Sequence, residues 1–142
     1  MRIIPFTPEH LQQMDIQDAQ TLFEAEMNSG EYAATLSAHG GWTGMRGDEV
    51  VACAGLIPIW KGRWGAWSVI SRSIGPDGML SLTRAIRRGL SMQPGRVEII
   101  VAEGFEQGHR WARMLGFTLD TPVVMQGFSP DGSGAFQYSR VT

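Results

Sequence analysis

The sequence predicts an α/β fold of the α+β kind, a mixed and mostly antiparallel sheet with one central parallel strand pair and helices joining its strands. Between Arg96 and Phe117 the hydrophobic period changes from two to about 3.6, so a strand passes directly into a helix and on to another strand. Ahead of it, Met79, Leu82, Ile86 and Leu90 trace one face of a second helix. A helix between two strands allows them to lie parallel through a crossover. Earlier still, Trp42 to Ile70 holds strand-like runs joined by short polar turns, the pattern of an antiparallel meander. With 142 residues, 43% hydrophobic and 18% charged, the chain suits one well-buried domain spanning residues 1–142.

The elements follow in order. Arg2 to Phe6 is short and apolar, and Thr7, Pro8 and Glu9 then supply a hydroxyl cap, a proline for the first turn and an acid beside the positive end of the helix dipole. From Leu11 to Met27 the apolar residues keep a helical spacing only if the segment breaks near Asp15 to Asp18, which predicts two short helices. Glu31 to Ala38 forms another helical piece before His39, Gly40 and Gly41 stop it. Trp42 to Met45 and Val50 to Trp60 make a hairpin around Arg46, Gly47, Asp48 and Glu49, so the Arg-Gly-Asp tripeptide serves as a turn rather than an adhesion motif. Val50 to Ile57 is apolar on both faces, and Pro58 marks where ladder pairing on one side ends or bulges. Lys61, Gly62 and Arg63 turn the chain into the Trp64 to Ile70 strand.

Ser71 to Gly78 is a polar loop, with Asp77 as N-cap of a helix starting at Met79 whose far side carries Arg84, Arg87 and Arg88. In the next strand Val97, Ile99 and Val101 line one face, and Ile100 with Ala102 carries apolar character onto the other, so both faces are expected to be buried. Past Glu103 and Gly104, the residues Gly108, Trp111, Ala112 and Leu115 form the buried stripe of a helix, while His109, Arg110 and Arg113 take its other faces. Gly116 ends this helix in a left-handed conformation. Turn-rich segments at Asp120 to Pro122 and Phe128 to Gly134 precede a closing strand, Ala135 to Val141.

Composition excludes several classes. A net charge of -2 argues against nonspecific nucleic-acid binding, which needs a basic excess to displace phosphate counterions, and Arg84, Arg87 and Arg88 read as a solvated helix face. His10, His39 and His109 are too scattered for a metal site. The one cysteine, Cys53, can form no internal disulfide, which fits a reducing compartment. No segment approaches the roughly 18 apolar residues of a membrane span, and MRIIPFTPEH lacks a signal-peptide core. The expectation is a soluble cytoplasmic protein with no membrane partner. The five tryptophans are core or sheet-face residues, with Trp60 beside a turn placed to meet a substrate or partner.

The element order resembles the GNAT superfamily of N-acetyltransferases. The more specific likeness is HRWARMLGF, His109 to Phe117, which looks like the family's last helix ending in leucine-glycine-phenylalanine. Within the superfamily the chain is most similar to small acetyltransferase-like proteins of bacteriophages and prophages, in ACAGL (Ala52 to Leu56), LTRAIRR (Leu82 to Arg88) and GHRWARMLGF (Gly108 to Phe117). The resemblance implies helices on both faces of the sheet and a parallel pair splayed at its C-terminal ends, where the pantetheine arm of the cofactor enters. It implies acetyl-CoA as co-substrate, an amine as acceptor, no metal, and a host-cytoplasm location if phage-encoded.

The family's Gln/Arg-x-x-Gly-x-Gly/Ala loop offers N–H groups to the cofactor pyrophosphate. Its first half is matched by Arg72, Ser73, Ile74 and Gly75; Pro76 and Asp77 depart from it, and Gly78 comes one place late. The cofactor-binding residues so implied are Val69, Ile70, Arg72, Gly75, Asp77, Gly78 and Met79. The position of the family's acidic tyrosine is Ala112, and no carboxylate lies on the Trp64 to Ile70 strand, which leaves Glu103 and His109 as catalytic candidates. The departures keep a second reading open: a catalytically degenerate GNAT-fold binding or assembly protein in phage particle production, with a phage structural or host protein as partner.

Overall fold

The computed structural model describes residues 1–16 and 30–142. The chain opens with β1 (Arg2–Pro5) and one helical turn, α1 (Glu9–Gln12). No side chain caps α1; the Thr7 N–H instead donates to Nδ1 of His10 at 3.1 Å. Leu11, Met14 and Ile16 turn inward. The rest of the helical segment expected as far as Met27 lies outside the described residues. The helix α2 (Gly30–Ser37) follows, with Leu36 buried.

The meander appears as expected. β2 (Trp42–Arg46) and β3 (Glu49–Trp60) pair antiparallel, Arg46 opposite Glu49, with an irregularity between Gly44 and Met45. β4 (Arg63–Ile70) comes next, then α3 (Gly75–Ser91), β5 (Arg96–Ala102), α4 (Glu106–Met114), β6 (Thr118–Leu119) and β7 (Ala135–Val141). The described strands form a seven-stranded sheet in the order β1-β2-β3-β4-β5-β7-β6. Its parallel pair is β4 with β5, as the crossover helix predicts, and that ladder covers Arg63 to Gly65 against Arg96 to Glu98 and stops there. β5 continues to Ala102 against β7, seven residues in antiparallel register.

The chain divides into two compact units. The first comprises Met1–Ile57 and Ala66–Ala85, the second Pro58–Gly65 and Ile86–Thr142. Phe6, Leu11, Met14, Ile16, Leu36, Met45, Val50, Cys53 and Val69 form the core of the first. In the second, Val97, Val101, Ala112, Leu115, Phe117 and Tyr138 are buried.

Three expectations need correction. The helix expected from Met79 begins at Gly75, because a glycine at φ +68° followed by a proline is itself a helix start: Pro76 has no N–H to leave orphaned and its fixed φ suits the first turn. Asp77 therefore sits inside the first turn rather than capping it. Ile100 is 43% exposed, so the second face of β5 is not an apolar one. His109, assigned to an outer face, is buried together with Gly108 and Ala112.

α4 ends as its sequence dictates. Gly116, at φ +90°, lets the Phe117 N–H reach the Ala112 carbonyl (3.0 Å) and its own N–H reach Arg113 (3.0 Å), the paired bonds of a Schellman motif. Arg140 adds a bond to the Leu115 carbonyl at 2.8 Å, so the carbonyls of Ala112, Arg113 and Leu115 are all bonded at this end.

Candidate functional site

In the first unit, Ser71–Ile74 links β4 to α3 and is braced by its surroundings. The Ser71 N–H donates to the Val51 carbonyl (2.9 Å) and the Arg72 N–H to the Asp15 carbonyl (2.8 Å). Arg46, the last residue of β2, donates to the carbonyls of Ser73 (2.6 Å) and Ile74 (2.9 Å). Ser73 Oγ donates to the Glu49 carboxylate, and this bond, with help from Arg46, holds that carboxyl below its ordinary value. The arginine of the Arg-Gly-Asp turn thus faces its own chain.

The sequence-derived cofactor residues fall in three settings here. Val69 and Ile70 are buried, each 5% exposed. Arg72 donates through Nε to the Ile16 carbonyl (2.8 Å) and lies 3.6 Å from the Asp15 carboxylate. Gly75, Asp77, Gly78 and Met79 lie in the opening turn of α3, where the N–H groups of Gly75 and Asp77 come too early in the helix to have an intrahelical acceptor. A Cβ at Gly75 would meet nothing within 4 Å among the described residues. Such a turn can hold an anion by its N–H groups and dipole, against the negative charge of Asp77.

The other candidates lie in the second unit, at the C-terminal end of β5. Glu103 is exposed, and its carboxylate has no hydrogen bond or ion pair among the described residues. Its Oε2 lies over Gly134, 2.7 Å from where a Cβ would stand. Its N–H donates to the Gly134 carbonyl at 2.9 Å. His109 is 8% exposed, with Nε2 3.2 Å from the Ala102 carbonyl and Nδ1 2.6 Å from the Tyr138 hydroxyl. A carbonyl only accepts, so Nε2 carries the proton, and in the neutral ring Nδ1 then accepts from the Tyr138 O–H. Both nitrogens are occupied.

Solved structures of acetyltransferases match the whole chain. A ribosomal-protein-alanine N-acetyltransferase from Brucella melitensis aligns with TM-score 0.69 at 11% identity, covering 100% of each chain. An aminoglycoside 6'-N-acetyltransferase complexed with coenzyme A gives 0.70 at 12% identity over 99% of this chain and 96% of that one. An acetyltransferase of the GNAT family from Bacillus anthracis gives 0.69 at 10% identity, over 99% and 95%. The fold is the GNAT fold. No protein-family model and no curated protein sequence matches the chain.

Within the GNAT fold this chain carries a cluster that its sequence pattern did not reveal. Arg63 binds both oxygens of Glu98, at 2.7 and 2.9 Å, and Arg96 donates to the same carboxylate at 2.8 Å and to Asp120 at 2.5 Å. Ser139 holds the other oxygen of Asp120 at 2.8 Å, and the Trp60 ring lies 4.4 Å from the Arg63 guanidinium. The Arg63 bonds hold the Glu98 carboxyl below its ordinary value; burial opposes this, and Arg96 adds to it. Burial likewise raises the Asp120 carboxyl, but the bonds from Ser139, Arg96 and Gln137 outweigh it and leave it lowered. Arg96 and Glu98 share a face by strand alternation, which a sequence can show; Arg63 opposite them is a matter of sheet pairing, which it does not. Among the described residues no group of three or more histidine, cysteine or acidic side chains is arranged to hold a metal, and no helix is long and apolar enough to cross a membrane.

Proposed function

We propose that the protein is an acyl-CoA-dependent N-acyltransferase that moves an acetyl group from acetyl-CoA to an amine, working in the cytoplasm of a phage-infected or prophage-bearing host. The observation that supports this most is the GNAT fold over the full length of the chain, shared with an acetyltransferase solved with coenzyme A. The first turn of α3, which follows the braced segment Ser71–Ile74, offers N–H donors for the cofactor pyrophosphate through Gly75 and Asp77, with Gly78 and Met79 in the same turn, Arg72 adding charge and the main chain of Val69 and Ile70 alongside.

Glu103 is the group assigned to proton transfer. It takes a proton from the acceptor ammonium and passes it on to solvent; the freed nitrogen forms a bond to the thioester carbonyl carbon and then loses its second proton to solvent, and the carbon–sulfur bond breaks to release the coenzyme A thiolate, which solvent protonates. Holding amine and thioester together supplies most of the rate. The likeness of ACAGL, LTRAIRR and GHRWARMLGF to prophage acetyltransferase-like proteins supports the phage origin.

Asp77 and Ala112 favour the second reading, a degenerate GNAT-fold assembly protein bound to a phage structural or host protein: the first puts negative charge where a phosphate would bind, the second removes the family's acid. Titration calorimetry separates the two. Under the acyltransferase reading acetyl-CoA binds saturably, and Asp77→Ala tightens binding about threefold to tenfold by removing a like charge, at a cost of about 0.3–1 kcal/mol in helix stability. Absence of saturable binding in both proteins at millimolar ligand would leave the assembly protein.

A further inference from the structure

We propose that His109 is a positioning residue that clamps the peptide plane carrying Glu103, and that it transfers no proton itself; its catalytic use rests on the reading of Glu103 as the base. The Ala102–Glu103 peptide is one rigid plane. Its carbonyl oxygen accepts from His109 Nε2 at 3.2 Å and from the Phe105 N–H at 3.1 Å, and its N–H donates to the Gly134 carbonyl at 2.9 Å. Both ends of that plane are therefore bonded, one to α4 and the other to the residue that leads into β7.

The imidazole is itself fixed. The hydroxyl of Tyr138, 1% exposed on β7, is hydrogen-bonded to Nδ1 at 2.6 Å, and the Phe136 ring stands edge-on to the imidazole at 5.5 Å. With Nε2 bonded to the Ala102 carbonyl and Nδ1 to the Tyr138 hydroxyl, neither ring nitrogen is left for an incoming amine. Glu103 has the opposite character. Its carboxylate lies on a bare glycine, beside Val124, and has no bond among the described residues to give up before it accepts a proton. The side chain with a free acceptor is held in place by the side chain without one.

The clamp can be tested with and without turnover. Amide exchange of Glu103, measured by NMR on the unliganded protein against Ile99 as internal reference, reads the clamp alone. In His109→Leu the Glu103 amide exchanges about tenfold faster or more while Ile99 changes little. In His109→Gln, which keeps a donor for the Ala102 carbonyl, protection is retained. Turnover is read as thiol release from acetyl-CoA with spermidine or a peptide with a free N-terminus as acceptor. His109→Leu lowers kcat about 10- to 100-fold with little change in the KM for acetyl-CoA, and His109→Gln restores it to within about threefold of the parent.

Unchanged Glu103 exchange in His109→Leu would overturn the clamp, and the Gln variant decides the matter if the Leu variant does not fold. A Gln variant that keeps Glu103 protected yet loses as much turnover as Glu103→Gln would make His109 a proton carrier and overturn the proposal. No thiol release from the parent with either acceptor would overturn the catalytic use of the clamp together with the acyltransferase reading, while the exchange rates would still report whether the clamp exists.

Discussion

The two ends of β5 each present a carboxylate, and the chain treats them in opposite ways. Glu98, near the N-terminal end, is 7% exposed and shared between two guanidiniums. Glu103, just past the C-terminal end, is exposed and unbonded among the described residues, although the backbone beneath it is bonded on both sides. At the first end the charge itself is neutralised, so it contributes to stability. At the second only the position is fixed and the charge stays available. Within one strand the difference marks which acid the fold depends on and which it merely presents.

The sharpest way to break this contrast is to neutralise each acid in turn. Glu103→Gln should lower acetyl transfer by about 100- to 10,000-fold under the proposed reading and leave stability within about 0.5 kcal/mol, as steady-state kinetics and a thermal melt would show. Full activity in that variant would move the proton to another group. Glu98→Gln should do the reverse, costing about 2–3 kcal/mol in urea denaturation, less than the roughly 3–5 kcal/mol of a fully buried broken pair because both guanidiniums reach solvent.

Two smaller effects refine the picture. Gly108 lies so close to β5 that a Cβ on it would come within 3.0 Å of Val101, and Ala112, 1% exposed, lies one turn further along the same helix face. Ala112→Leu should therefore force α4 outward and destabilise by about 1–3 kcal/mol in a thermal melt; no loss would mean slack at the Glu103 end. The smallest effect is on pH dependence. Since the native Glu98 carboxyl is lowered, its contribution is complete above the unfolded carboxylate value of about 4.3 and disappears as pH falls through the lower native value. Acid titration of stability should show this loss in the parent and a shallower slope in Glu98→Gln.

Much of the fold was legible in the sequence for plain physical reasons. The change of period between Arg96 and Phe117, the glycine at the end of α4 and the hairpin around Gly47 and Asp48 are local signals, and each element lies where its pattern placed it. The start of α3 is not legible because Gly75, Pro76, Asp77 and Gly78 have the composition of a loop and of a helix start alike. Periodicity places His109 on an outer face because it counts apolar residues, and a histidine bonded at both nitrogens behaves as a core residue without being one by type. Glu103 could be picked out as an acid at a strand end; that it rests on Gly134, far along the chain, could not. The Glu98 network escaped for the same reason, since its decisive partner, Arg63, belongs to a neighbouring strand.

Cys53 lies in the core of the first unit at 1% exposure, and burial pushes its thiol up to about 11. Only the thiolate attacks an alkylating reagent, and on the order of one such thiol in ten thousand is ionised at neutral pH. Iodoacetamide will therefore label the native chain chiefly during the moments when that core opens and the thiol regains its ordinary acidity. If labelling accelerates with urea along the global unfolding slope, the core opens only as a whole; if it is flat at low urea, small local openings dominate. The protein's own sulfur atom is thus a clock for excursions that an equilibrium melt averages away.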